Sequence, residues 1–439
     1  IRNARIVSDG TATRGDIGVR AGRVAAVGDL TGVEAASEHN ARGQVALPGL
    51  VDPCVSLLGE GPHCPPAEVA LQALTAEALL GGVTTLGLAV DFPLDLPWKD
   101  ARELRLAGDA SRALADIAPL YAVSEWSPKV KAHLAAALEA GLRGVYACRS
   151  PLRGEGIVHA LLAMAPELAT VFAQVSDATI ERFQRQQLRA EARVAPSEQG
   201  DILPPWAEAA ALRRLAAMLH GSQARLALVG VSCGAALEEL ARLREQGPSL
   251  AVVAKLAHLA LSREAAAEDS HPVHPHVWPP LRARADQNAL WAALDEGLVA
   301  AVTSGHHPVT AEALAIGQQD VTEAAAGTMA LAHMLPLLHS EGPAKWRTDL
   351  ETLSLCACAD PAKLLGLYPR KGRVAPGSDA DIVLLDTEAE GACADRGARH
   401  GLHDAFAGLD CHGKVAAVFL RGAKVAGEGA TMAPQGKFL

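Results

Sequence analysis

Strand-like and helix-like segments alternate along this chain with a regularity that few architectures accommodate. After Pro48, Ala67 to Leu80 is apolar at helical spacing and stops at Gly81-Gly82, and Val83-Thr84-Thr85-Leu86 then opens a buried strand. The strand-then-helix unit recurs at Gly144-Val145-Tyr146-Ala147, Thr170-Val171-Phe172-Ala173, Leu226-Ala227-Leu228-Val229, Leu250-Ala251-Val252-Val253 and Val299-Ala300-Ala301-Val302. Such repeats over about 300 residues predict an α/β fold, a TIM-type (β/α)8 barrel whose site lies at the carboxyl ends of the strands. Both ends of the chain differ from this middle. Arg2 to Val7, Ile17 to Arg20 and Arg23 to Val27 are short β-rich runs between Gly and Asp turns, and the pattern returns at Asp379 to Leu385, Val415 to Leu420 and Lys424-Val425. The expected organisation is a composite small β-sandwich domain from residues 1–47 and 367–439, with the barrel at 48–366.

Composition narrows the function classes. The 439 residues are 49% hydrophobic and 21% charged, which suits a globular barrel with a satellite domain. A net charge of -10 leaves no basic footprint for nucleic acid. Apolar runs are broken by Gly, Pro or charge before they reach membrane-spanning length. The 8 cysteines are scattered, with Cys356 and Cys358 too close for a disulfide framework, so a cytoplasmic, reducing location is expected. The chain begins at Ile1 rather than Met, so further residues ahead of it are expected.

The run Leu47-Pro48-Gly49-Leu50-Val51-Asp52-Pro53-Cys54-Val55-Ser56-Leu57 resembles the metal-site strand of cyclic amidohydrolases, written L-P-G-x-V-D-x-H-x-H-L, with Cys54 and Ser56 at its two histidine positions. Residues two apart on a strand share a face, so the geometry can persist without the ligands. Gly81-Gly82-Val83-Thr84-Thr85, Pro279-Pro280-Leu281-Arg282 with Asp286, Leu290 and Trp291, Asp360 to Leu367, Gly377-Ser378-Asp379-Ala380-Asp381 and the final Gly436-Lys437-Phe438-Leu439 extend the resemblance over nearly the whole chain. Together they resemble the dihydroorotase branch of the amidohydrolase superfamily, specifically the bacterial type I subunits.

At the positions that the resemblance marks as catalytic, the chain departs from the family. The metal-bridging lysine or aspartate falls at Tyr146 or its neighbours Ala147 and Cys148, the next ligand histidine at Val175, the following one at Gly230 ahead of a retained Ser232, and the metal-associated general base at Gly305 in Ser304-Gly305-His306-His307-Pro308-Val309. The substrate-gripping arginine after the histidine pair is Leu58. Zinc needs about three or four N, O or S ligands at ~2.0–2.3 Å, and of the replacements Cys54 alone is a good one. A general base contributes about 10²–10⁴-fold, which Gly305 cannot supply.

The reading at this point is a pseudoenzyme with no cofactor, no metal and no dihydroorotase activity. The resemblance implies that such a subunit joins a hetero-oligomer with an aspartate transcarbamoylase catalytic chain and supports its assembly and activity in pyrimidine biosynthesis. The alternative is a cyclic-amide hydrolase, of dihydroorotase or dihydropyrimidinase type, with an altered or metal-independent site. Other features weigh less. His271-Pro272-Val273-His274-Pro275-His276 reads as a surface loop rather than a metal site, because all its ligands would be local. His258 and His306 read as hydrogen-bonded residues near the old pocket, Cys54 as an ordinary thiol, and Cys64, Cys148 and Cys233 as small buried apolar residues.

Overall fold

The computed structural model describes residues 1–56, 67–110, 112–147, 154–166, 169–244, 250–266, 276–398 and 401–439. Near the amino terminus lie β1 (Ala4–Ser8), β2 (Thr11–Arg20), β3 (Arg23–Gly28) and β4 (Val45–Pro48). Then come eight parallel strands, β5 (Leu50–Ser56), β6 (Val83–Val90), β7 (Asp116–Val123), β8 (Gly144–Ala147), β9 (Thr170–Gln174), β10 (Arg225–Val229), β11 (Leu250–Lys255) and β12 (Ala301–Thr303), each hydrogen-bonded to the next in sequence. After them come β13 (Ile382–Ala392), β14 (Asp410–Leu420) and β15 (Ala423–Gly427).

The expected TIM-type barrel is present, and alternation along its strands sorts the side chains. Val51, Ala118, Leu120, Phe172, Ala227, Val229, Val253 and Ala301 fill the interior, whereas Val145, Val171, Ala173, Leu226, Leu228 and Val252 belong to the larger core beneath the helices. With aromatics at only 3%, small and branched aliphatic residues do most of this packing.

Buried Asp52 stitches the first strand to the last. Its Oδ1 accepts from Thr303 Oγ1 at 2.5 Å and its Oδ2 from the Ser304 amide at 3.0 Å, while Thr303 Oγ1 also lies 3.1 Å from the Cys54 carbonyl. Burial raises the proton affinity of this carboxyl, and the hydrogen bonds from Ser304, Thr303 and Cys54 work against that rise.

The two chain ends join in one seven-stranded sheet, ordered β15-β14-β13-β4-β1-β2-β3, in which β4 runs antiparallel to β13 and parallel to β1. At the amino-terminal end of the barrel, Lys371 is only 1% exposed and its Nζ lies 2.5 Å from Asp116 and 3.1 Å from Asp379, with Asp381 as a third partner. Burial alone would lower this lysine's pKa, but the Asp381 and Asp116 charges outweigh it and hold the pKa above its ordinary value. Asp116 also accepts from Arg421 and from the Lys437 amide, which ties the tail to the start of β7.

Candidate active site

Continuing each strand's inward parity to its carboxyl end gives most of the ring around the barrel mouth, and on β5 a register shift between Asp52 and Val55 exchanges the parity, so that Val51 and Cys54 face inward and Val55 outward. Cys54 and Ser56 come from β5, Asp91 follows β6, Ser124 follows β7, and Tyr146, Gln174 and Lys255 come from β8, β9 and β11; together with Ser304 and Gly305 after β12 they line one cavity of about 620 Å³. Arg185, Trp278, His306, His307 and Glu323 form further parts of its wall.

This geometry settles several of the positions named from sequence. Tyr146, which shares inward parity with the barrel interior, is the β8 residue in the cavity, whereas Ala147 belongs to the outer core. Cys148 lies outside the described residues, as do Leu58, Cys64, His271 and His274. Val175 is corrected: it is fully buried in the outer core, its amide donating to the Val229 carbonyl at 3.2 Å, and Gln174 is the side chain that reaches the mouth. The parity rule carried the signal, because Phe172 faces inward and Gln174 is two residues on. His276 is also corrected, being fully buried rather than part of a surface loop.

Retained Ser232 lies in a buried cluster, where its Oγ donates to Glu208 and accepts from Arg282 Nε at 3.0 Å, and Arg282 Nη2 bonds Glu208 Oε2 at 2.9 Å. Both histidines near the pocket are held neutral. His258 is buried with Nε2 2.9 Å from the Pro279 carbonyl, and burial pushes its pKa down to about 3. His306 is likewise pushed down to about 3 by burial, and its Nδ1 accepts from the Ala330 amide at 3.0 Å, which leaves the ring proton on Nε2. Asp91 is the cavity carboxyl whose pKa is raised, by partial burial, against the pull of Arg105.

Sequence reasoning passed over Lys255, whose Nζ donates to the Trp278 carbonyl at 2.7 Å. The available signal was a charged residue ending the apolar run Leu250-Ala251-Val252-Val253-Ala254, at the carboxyl end of a barrel strand.

Among the described residues the mouth does not fit the metal pair that the resemblance implies. Two ligand positions are the glycines Gly230 and Gly305, Ser56, Tyr146 and Gln174 are weak donors, and a lysine stands among them. Among the described residues the one converging group of metal-ligating side chains is Asp116, Asp379 and Asp381, at the opposite end of the barrel, where Lys371 already supplies the cation.

Comparisons with known proteins match this architecture. The profile of the amidohydrolase family matches residues 215–425. The L-hydantoinase of Paenarthrobacter aurescens is 28% identical over 454 residues, covering 99% of this chain and 96% of that protein. The D-hydantoinase of Ralstonia pickettii is 26% identical over 456 residues, covering 100% and 98%. The crystal structure of dihydropyrimidinase from Brevibacillus agri NCHU1002 superposes with a TM-score of 0.87 at 26% identity, covering 100% of this chain and 97% of that one.

Three expectations are thereby corrected. Likeness runs to hydantoinases and dihydropyrimidinase over their full length, not to the transcarbamoylase-associated subunits of the dihydroorotase branch. The non-catalytic subunit that supports aspartate transcarbamoylase is overturned, and the partner inferred with it loses its basis. The pseudoenzyme reading is overturned too, because the L-hydantoinase and D-hydantoinase that match the chain from end to end are named as enzymes. The error arose because the scaffold motifs are shared widely, while the site residues that separate the branches are replaced here. None of the described helices is long and apolar enough to cross a membrane. Eight parallel strands with a sheet built from both chain ends, and likeness to these relatives from end to end, make the chain a member of the amidohydrolase superfamily.

Proposed function

We propose that this protein hydrolyses a cyclic amide of the hydantoin or dihydropyrimidine class in the barrel mouth, through side chains rather than a metal pair. The observation that carries the reading is the ring itself: seven strands still send a polar or ionisable group into one cavity, of a size suited to a small ring. Full-length likeness to proteins named hydantoinase supports the substrate class. In the reaction, water gives its hydroxyl to a ring carbonyl carbon and its proton to the ring nitrogen, the C–N bond breaks, and a ureido acid results. Asp91 is suited to take the proton from water, since a general base works best with its pKa moved toward the operating pH, and burial moves Asp91 in that direction. The six described cysteines are free thiols, which supports a reducing, cytoplasmic setting.

The test is turnover of a panel containing hydantoin, 5-substituted hydantoins, dihydrouracil and dihydroorotate, read by the appearance of the ureido acid. Ring opening of at least one member, abolished by heat denaturation and absent from a mock purification, is expected. Absence of ring opening across the panel overturns the reading.

A further inference from the structure

Lys255 lies between two glycines. A Cβ built on Gly305 would come within 3.0 Å of Lys255 Cδ, and one built on Gly230 within 3.3 Å of Lys255 Cε and 3.0 Å of Pro279 Cδ. Both glycines have positive φ, +64° and +84°, where an L side chain costs roughly 1–2 kcal/mol. The methylene stem of Lys255 therefore runs through a slot that exists because neither neighbour has a side chain. These are also the positions at which the resemblance would place a ligand histidine and the metal-associated aspartate. One lysine occupies the space of both, and the Trp278 carbonyl orients its ammonium at the cavity wall.

We propose that the Lys255 ammonium is the electrophile of this site, holding the carbonyl oxygen of the ring amide and the negative charge that collects there as water adds. The assignment rests on the hydrolytic reading above. As the water oxygen bonds to the carbonyl carbon, the water proton passes to Asp91 and the C=O electron pair moves onto the oxygen facing Lys255. Collapse restores the C=O, breaks the C–N bond and returns the proton from Asp91 to the ring nitrogen. The carboxylic acid so formed ionises, releasing one proton to solvent, and its carboxylate faces the same ammonium. A fixed cation aimed at a developing oxyanion in a partly dry cavity is an effective form of electrostatic catalysis. The substrate class follows: an uncharged ring whose product is an anion.

Lys255→Met keeps the stem, so the slot stays filled, and removes the charge. Its kcat on the best panel substrate is expected to fall on the order of 10²–10³-fold, with KM little changed and circular dichroism unaltered. Calorimetric binding of the N-carbamoyl amino acid product is expected to weaken by about tenfold or more, as for loss of a charged hydrogen bond. Lys255→Gln gives the same comparison if the methionine variant does not fold. Protection of Lys255 from acetic anhydride by the product, read by mass spectrometry, needs no variant. Turnover by Lys255→Met within about twofold of the parent, with product binding intact, overturns the lysine assignment while the hydrolytic reading stands. If the parent binds product only through Lys255 but opens no ring, the lysine is upheld as an anion anchor and hydrolysis falls. If no product binding, protection or turnover is found, both are overturned.

Discussion

Two lysines stand at opposite ends of the same barrel and have been put to opposite uses. Lys371, at the amino-terminal end, is closed in by Asp116, Asp379 and Asp381 and is 1% exposed. Lys255, at the carboxyl-terminal end, is half-buried against a cavity and bonds the Trp278 carbonyl. A cation fully matched by carboxylates stabilises the fold and has no capacity left for chemistry. A cation at a cavity wall, with the Trp278 carbonyl among its partners, stands where a ligand can reach it. The difference assigns stability to one end of the barrel and chemistry to the other, as the architecture favours.

The largest expected effect breaks the first member of the pair. Lys371→Met leaves three carboxylates facing one another in a buried site, and should cost about 3–5 kcal/mol of unfolding free energy in denaturant titration. Lys255→Met should stay within about 1 kcal/mol of the parent, because the stem still fills the slot. Equal losses in the two variants would erase the distinction.

Acid sharpens the comparison at the mouth. His258 and His306 have folded pKa values near 3 against an ordinary 6.5. A lowered histidine binds fewer protons folded than unfolded, so stability rises with pH across this window and is lost as pH falls from 6.5 through about 3. Each should remove on the order of 3 kcal/mol near pH 4, and His258→Gln should flatten the slope of stability against pH. An unchanged slope in that variant would mean that the site is wet enough to protonate while folded.

The smallest effect tests the slot. Gly305→Ala should cost roughly 1–2 kcal/mol from its positive φ alone, with a further increment from the overlap with Lys255. Shortening the lysine removes only that increment, so Lys255→Ala with Gly305→Ala should be less harmful than the sum of the single changes by about 0.5 kcal/mol or more. Strict additivity would show that the stem and the glycine do not compete for space.

Much of this fold was legible before any coordinates, because the βα rhythm after Pro48 and the short strands at both ends are periodic signals that tertiary packing had only to accept. The inward residues of the mouth were partly legible by the same alternation, as Cys54, Ser56 and Tyr146 illustrate. Gln174 was missed in favour of Val175 because motif matching slid the register by one residue, which on a strand exchanges the two faces. Lys255 was missed for a different reason. Its meaning depends on Gly230 and Gly305, which come from other strands, and the space they vacate is visible only once the barrel closes. The functional branch was misread because absent ligands were taken as absent chemistry, while the scaffold motifs are shared as widely as the hydantoinases.

The most direct measurement is ring-opening turnover by protein that has been stripped with a strong chelator and assayed with the chelator present. The account predicts that the rate on the best panel substrate is unchanged by chelation and by subsequent addition of zinc, while Lys255→Met lowers it on the order of 10²–10³-fold under the same conditions. Activity that disappears on chelation and returns with zinc would contradict it, and would mean that the barrel mouth assembles a metal site from residues other than those placed there now.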